Sequence, residues 1–128
     1  MPLTLEQLTD WLDRYFAAWR SNNPADVRAL FAPDAVYSYG PFTAPAIGRE
    51  TIVQRWVSDP EQQQDLEIAY VPLAVHGDLG VDLWRVAFRP GQHSAVRITM
   101  DGILVLTFDA DGRCTEHREW YAVQETPA

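Results

Sequence analysis

Cysteine is almost missing from this chain: Cys114 is the one such residue among 128, so an internal disulfide is excluded. Its setting in a strand-like stretch reads as a small buried hydrophobe and not as a nucleophile. Basic residues are also scarce. Ten of them against 18 acidic ones leave a formal charge of −8, which opposes binding to nucleic acid or an anionic membrane, since both repel such a surface. No apolar run reaches the roughly 20 residues of a membrane span, and the opening MPLTLEQLTD has neither a basic n-region nor an apolar h-region. A soluble, cytoplasmic protein with no membrane or nucleic-acid partner is expected. The chain also lacks a Gly-rich phosphate loop, a nucleophile elbow, a repeat and a low-complexity segment. Its three histidines, His76, His93 and His117, are dispersed, and no acid/His pair has ligand spacing, so neither a metal nor a cofactor is expected.

What the chain does have is apolar and aromatic. A 47% hydrophobic content with five each of Trp, Tyr and Phe suffices for the core of one domain, residues 1–128, with aromatics left over to line a cavity. Thr4-Leu5-Glu6-Gln7 matches a capping box, and Leu5, Leu8, Leu12, Tyr15, Phe16 and Trp19 then recur at helical spacing until about Ser21-Asn22. Asn23-Pro24-Ala25-Asp26 starts a second, short helix that closes before Pro33. Residues 34–39 alternate as a strand, with Tyr37 and Tyr39 on one face. A Pro/Gly-rich loop follows, with a brief extended piece near Ala46-Ile47, before a third helix opens at Gly48-Arg49-Glu50 and ends ahead of Pro60. Residues 61–64 read as a polar connection. Four long strands are expected at about residues 66–75, 81–88, 95–108 and 113–123, joined by HGDLG, RPGQHS and DADG turns. Helices first and strands last indicate an α+β fold, an antiparallel sheet covered on one face.

Three stretches, WLDRYFAAWRSNNPADVRALFAPDAVYSY, IGRETIVQRW and DGILVLTFDADGRCTEHREWY, together resemble the nuclear transport factor 2-like superfamily, in particular its SnoaL-like members. The resemblance implies a cone, with a curved sheet wrapped around the N-terminal helices and a cavity on its concave face. It implies no single reaction, because ketosteroid isomerases, polyketide cyclases, dehydratases, epoxide hydrolases and non-catalytic domains share that fold. Laid on the ketosteroid isomerase pattern, the first-helix tyrosine falls on Tyr15 and a pocket tyrosine on Trp56. The base falls on Tyr39 and the second donor acid on Leu104, so steroid isomerisation by that mechanism is not expected. The arginine and two acids of a limonene-type epoxide hydrolase are not evident either.

If Asp109-Ala110-Asp111-Gly112 is a four-residue loop, Leu106/Thr115, Leu104/His117, Gly102/Glu119 and Met100/Tyr121 pair on one face of the last hairpin. The resemblance turns that face toward the cavity. A three-residue loop would reverse the faces and put Arg118 and Trp120 inside. His117 is then the candidate general acid/base with Glu119 as orienter or partner base, and Tyr15, Tyr37 and Tyr39 offer donors for an enolate-like oxygen. His117 is equally readable as a ligand contact, or as a core histidine hydrogen-bonded to Tyr15 or Tyr37 while Glu119 pairs with Arg49 or Arg85. Trp19, Tyr37, Tyr39, Trp56, Trp84, Met100, Leu104 and Tyr121 are the candidate pocket lining for a flat, hydrophobic ligand. Asp101-Gly102 is expected to mark a β-bulge, and Asp109 and Asp111 to be turn acids facing solvent. Val105, Ile103, Trp120 and Cys114 on the outer face suggest a homodimer. Three functions remain open: a cofactor-independent lyase, isomerase or cyclase; a non-catalytic binder of a hydrophobic small molecule; and a protein-interaction module.

Overall fold

Thr4 opens the first helix through the reciprocal exchange its sequence anticipates. The Gln7 amide donates to the Thr4 hydroxyl at 3.1 Å, and the Thr4 amide donates to Gln7 Oε1 at 2.9 Å. This helix, α1 (Leu5–Ser21), stops at Asn22, whose φ of 51° lies in the left-handed region. In the computed structural model, which describes residues 2–58 and 63–128, there follow α2 (Pro24–Arg28), β1 (Phe31–Ser38), β2 (Ala46–Ile47) and α3 (Arg49–Ser58). Four long strands complete the chain: β3 (Gln63–His76), β4 (Leu79–Pro90), β5 (Val96–Phe108) and β6 (Cys114–Pro127). Gln63 and Gln64, expected in a polar connection, already belong to β3, while the expected helix stop before Pro60 and residues 61–62 lie outside the described residues. No helix among the described residues is long and apolar enough to cross a membrane.

The buried stripe of α1 differs from the expected one at its start. Leu5 is 48% exposed, and Trp11 is buried in its stead, its indole N–H donating to the Leu30 carbonyl at 3.0 Å. Leu8, Leu12, Tyr15 and Phe16 complete the stripe and pack on the inner face of the sheet with Val86, Phe88, Leu104, Leu106 and Phe108. The six strands run in the order β2-β1-β6-β5-β4-β3 and form a cone-like α+β fold that is not closed into a barrel. From β3 to β6 the pairing is antiparallel as expected, but β1 joins β6 in parallel, so the sheet as a whole is mixed. The Cys114 amide donates to the Leu30 carbonyl at 2.9 Å, which pins the start of β6 beside the start of β1 and sets that direction.

The last hairpin keeps its faces but not its register. Phe108 pairs with Cys114, Leu106 with His117, Leu104 with Glu119 and Gly102 with Tyr121. Two one-residue changes combine to give this shift of two. The loop takes in Arg113 as well, because Asp109 Oδ1 accepts from the amides of both Asp111 and Arg113 at 2.9 Å and organises a longer turn. Thr115 is then extra in a β-bulge between the Thr107 and Phe108 positions. Either change alone would turn the strand over; together they restore it. Cys114 lies between the two, so it faces inward and is fully buried, which corrects its expected place on the outer face. Asp109 is likewise a structural turn acid and not simply a solvent-facing one.

No bulge occurs at Asp101-Gly102, where pairing with β4 and β6 runs on without a break. The glycine answers a different need. Trp84 and Tyr121 sit on either side of it in the neighbouring strands, and their rings approach to 5.8 Å. A Cβ at this position would collide with the Trp120 carbonyl oxygen and lie 2.8 Å from Tyr121 Cβ. Gly102→Ala should therefore lower stability by about 1–3 kcal/mol, the usual cost of overpacking a strand interior, as read by urea denaturation. An unchanged midpoint would show that the sheet yields there at no cost.

Candidate functional site

Adjacent strands place Tyr37 of β1 directly beside His117 of β6, and the two rings lie flat on one another at 3.7 Å and 11°. From the helix layer Tyr15 reaches the same point: its hydroxyl is 3.0 Å from His117 Nε2 and 2.9 Å from the Tyr37 hydroxyl. Trp56 of α3 stands edge-on to both tyrosine rings, at 5.5 Å from Tyr15 and 6.3 Å from Tyr37. Three elements thus meet on one polar chain inside an aromatic shell. Tyr39, two residues beyond Tyr37 on the same face, continues the shell at 4.6 Å. Glu119 is related to His117 in the same way on β6, and it too is buried, at 5% exposure.

Burial decides the protonation of these groups. It pushes His117 down to about 3, so the imidazole is neutral, and it lifts the hydroxyls of Tyr15 and Tyr37 well above their ordinary value, with the charge of Glu119 adding to both. It also pushes the Glu119 carboxyl up to about 7, while interaction with the Tyr37 hydroxyl pulls the other way. With Glu119 ionised, the protons run one way, His117 Nε2–H donating to Tyr15 and Tyr15 to Tyr37, with the Tyr37 hydroxyl turned to the carboxylate; with Glu119 protonated, the same chain runs in reverse into His117 Nε2. Among the described residues no arginine is paired with Glu119 as the alternative reading supposed. Arg49 lies 3.5 Å from Glu50, and Arg85 lies 2.8 Å from Asp101.

The carboxyl opens on a cavity of about 520 Å³. Its walls come from α1 (Trp19, Arg20, with Asn22 just after it), the end of β1 (Tyr37, then Tyr39) and α3 (Arg55, Trp56). The sheet contributes Gln63, Leu66, Met100, Glu119 and Tyr121. Of the residues singled out from the sequence, Trp19, Tyr37, Tyr39, Trp56, Met100, Glu119 and Tyr121 meet at this cavity. Tyr15, Trp84, Leu104 and His117 are buried behind the wall instead. His117 therefore meets the cavity through Tyr37, on which it stacks, and not directly. Among the described residues no three His, Cys, Asp or Glu side chains gather as a metal ion would need.

Sequence reasoning passed over three of these features. Asp82 is fully buried on the inner face of β4, neither carboxyl oxygen has a hydrogen-bond partner among the described residues, and burial pushes it up to about 8. Its signal was present, since Asp82 alternates in phase with Gly80, Trp84 and Val86. Arg20 and Arg55 left no such signal, because each sits at an ordinary polar position near a helix end.

A model of the SnoaL-like domain matches residues 12–117, and the chain belongs to this family. Solved structures agree in fold. TsrD from Streptomyces laurentii superimposes with a TM-score of 0.72 at 18% identity, covering 93% of this chain and 90% of that one. A cystatin-like fold from Methylobium petroleophilum PM1 gives 0.72 at 21% identity over 100% of this chain and 82% of that one. A candidate SnoaL-like polyketide cyclase from Jannaschia sp. CCS1 gives 0.72 at 18% identity over 91% and 85%. Among curated proteins none matches significantly.

The raised carboxyl has a consequence for stability. With a folded value of about 7 against the ordinary 4.5, the folded protein keeps a proton that the unfolded chain releases. Any stabilisation from this group is thus complete below about pH 4.5 and lost as pH rises through about 7. Glu119→Gln should gain roughly 2–3 kcal/mol at about pH 8.5 and close to nothing at about pH 4, measured by urea denaturation at the two values. An equal effect at both would place the carboxyl in ordinary solvent.

Proposed function

We propose that the chain takes up a flat, hydrophobic small molecule in this cavity and moves a proton on it without a cofactor, as an isomerase, lyase or cyclase does. The observation that carries the reading is Glu119: it is the one carboxyl among the described lining residues, buried, and held near neutrality in its affinity for a proton. A base poised there is half ionised at working pH and can both remove and return a proton. In the ionised form it takes a proton from a carbon next to a carbonyl, and the electron pair left behind moves onto the carbonyl oxygen. The Tyr39 hydroxyl, beside the Arg55 guanidinium, is the donor suited to that oxygen. The protonated Glu119 then returns the proton to another carbon or to a leaving oxygen. His117 and Tyr15 act from behind as positioning residues, fixing Tyr37 and through it the carboxylate.

This reading assigns general acid/base work to Glu119 and a supporting place to His117, the reverse of the roles expected from the sequence. Exchange of α-protons into deuterated water, followed by proton resonance on a panel of aromatic ketones and β-dicarbonyl compounds, tests it. Glu119→Gln should lose about 10²-fold or more in exchange while affinity stays within a few-fold. Exchange that survives the substitution unchanged would sink the catalytic reading, and binding without any exchange would mark a binding protein.

The convex face supports a homodimer as the assembly. Val71, Leu83, Ile103 and Trp120 are register partners in one row across four strands, each 40–49% exposed. Ion pairs of both signs flank it, Arg85–Asp101 and Arg118–Glu116, so the row can meet its own two-fold copy. Trp120→Arg should convert a sedimenting dimer to a monomer; a monomeric parent would refute this assembly.

A further inference from the structure

The ten basic residues of this chain are all arginines, set against 18 acids, so a guanidinium has many carboxylates to choose from. Among the described residues every arginine has a carboxylate oxygen within 3.5 Å except Arg14, Arg20 and Arg55. Two of those three line the cavity. Arg20 lies 3.5 Å from the Leu66 carbonyl, and Arg55 lies against the Tyr39 hydroxyl. They come from different helices, α1 and α3, yet both border the same aromatic space. Resting on the reading of this cavity as a ligand site, we infer that its ligand carries a carboxylate, held by Arg20 and Arg55 while its flat apolar body lies among Trp19, Trp56 and Tyr121.

Three physical points favour a carboxylate over a neutral polar group. A guanidinium presents a planar fork of N–H donors that matches two carboxylate oxygens, and such charge-assisted bonds are about twice as strong as neutral ones. Both arginines are exposed and carry water that an anion can replace. The net charge of −8 repels anions at long range, which means that an anionic ligand has to be recognised by local contacts of this kind.

The test is a matched pair of probes, 2-naphthoate and 2-naphthamide, titrated calorimetrically into the protein at about pH 7.5. The two have nearly the same shape and differ in charge. The naphthoate should bind about tenfold tighter, the range expected for charge-assisted hydrogen bonds. Arg20→Gln and Arg55→Gln should each cut that preference several-fold, and the double variant should abolish it. Arg14→Gln removes the same charge from α1 outside the cavity and should leave the preference intact, which separates local contact from net charge. Thermal unfolding of each variant confirms that it is folded. Equal binding of the two probes, or a preference that the cavity variants do not move, overturns the carboxylate inference while leaving the cavity as a ligand site. Binding of neither probe overturns both.

Discussion

The stack of His117 on Tyr37, tied to Tyr15 by hydrogen bonds of 3.0 and 2.9 Å, is the contact through which the helices and the sheet hold a common geometry. It joins α1, β1 and β6 at one buried point. A neutral imidazole is essential to it, because a charged one would sit without water or a counter-ion in a fully buried place. The polar chain ends at Glu119, where the interior gives way to the cavity. Its depth gives the carboxyl both its raised proton affinity and its fixed position, so fold stability and site chemistry draw on the same desolvation.

That arrangement has a cost in stability, and the protein carries it twice. Glu119 and Asp82 are both buried carboxyls lifted toward neutral pH, and Asp82 has no hydrogen-bond partner among the described residues. Buried polar groups without partners are rare in proteins and concentrate where function requires them. Asp82 lies close enough to Tyr15 for its charge to raise that hydroxyl's proton affinity, which places a second acid behind the same network.

Much of the fold was legible in the sequence because its signals are local. The Thr4–Gln7 cap, the Asn23-Pro24 start and the period-two strands each depend on a few neighbouring residues, and they stand where they were read. The hairpin was harder, since its faces were right while its register was two residues off. Asp109 lengthened the turn and Thr115 bulged, and nothing local in DADGRCTE fixes how those two events add. Depth was not legible at all. His117 and Glu119 share a strand face, and their order relative to the cavity follows from how far along the cone α1 ends, a property of the whole packing. Trp11 and Asp82 were missed for a similar reason, as each is a position whose neighbours come from distant parts of the chain.

Everything proposed for this site depends on Glu119 being a buried carboxyl at the wall of an aromatic cavity. Carbon-13 resonance of its carboxyl carbon across pH, assigned by its disappearance in Glu119→Gln, measures this directly. A single titration with its midpoint near 7 is expected. A midpoint in the ordinary range of about 4–5 would mean that water reaches the carboxyl freely, and would contradict both the buried network and the chemistry built on it.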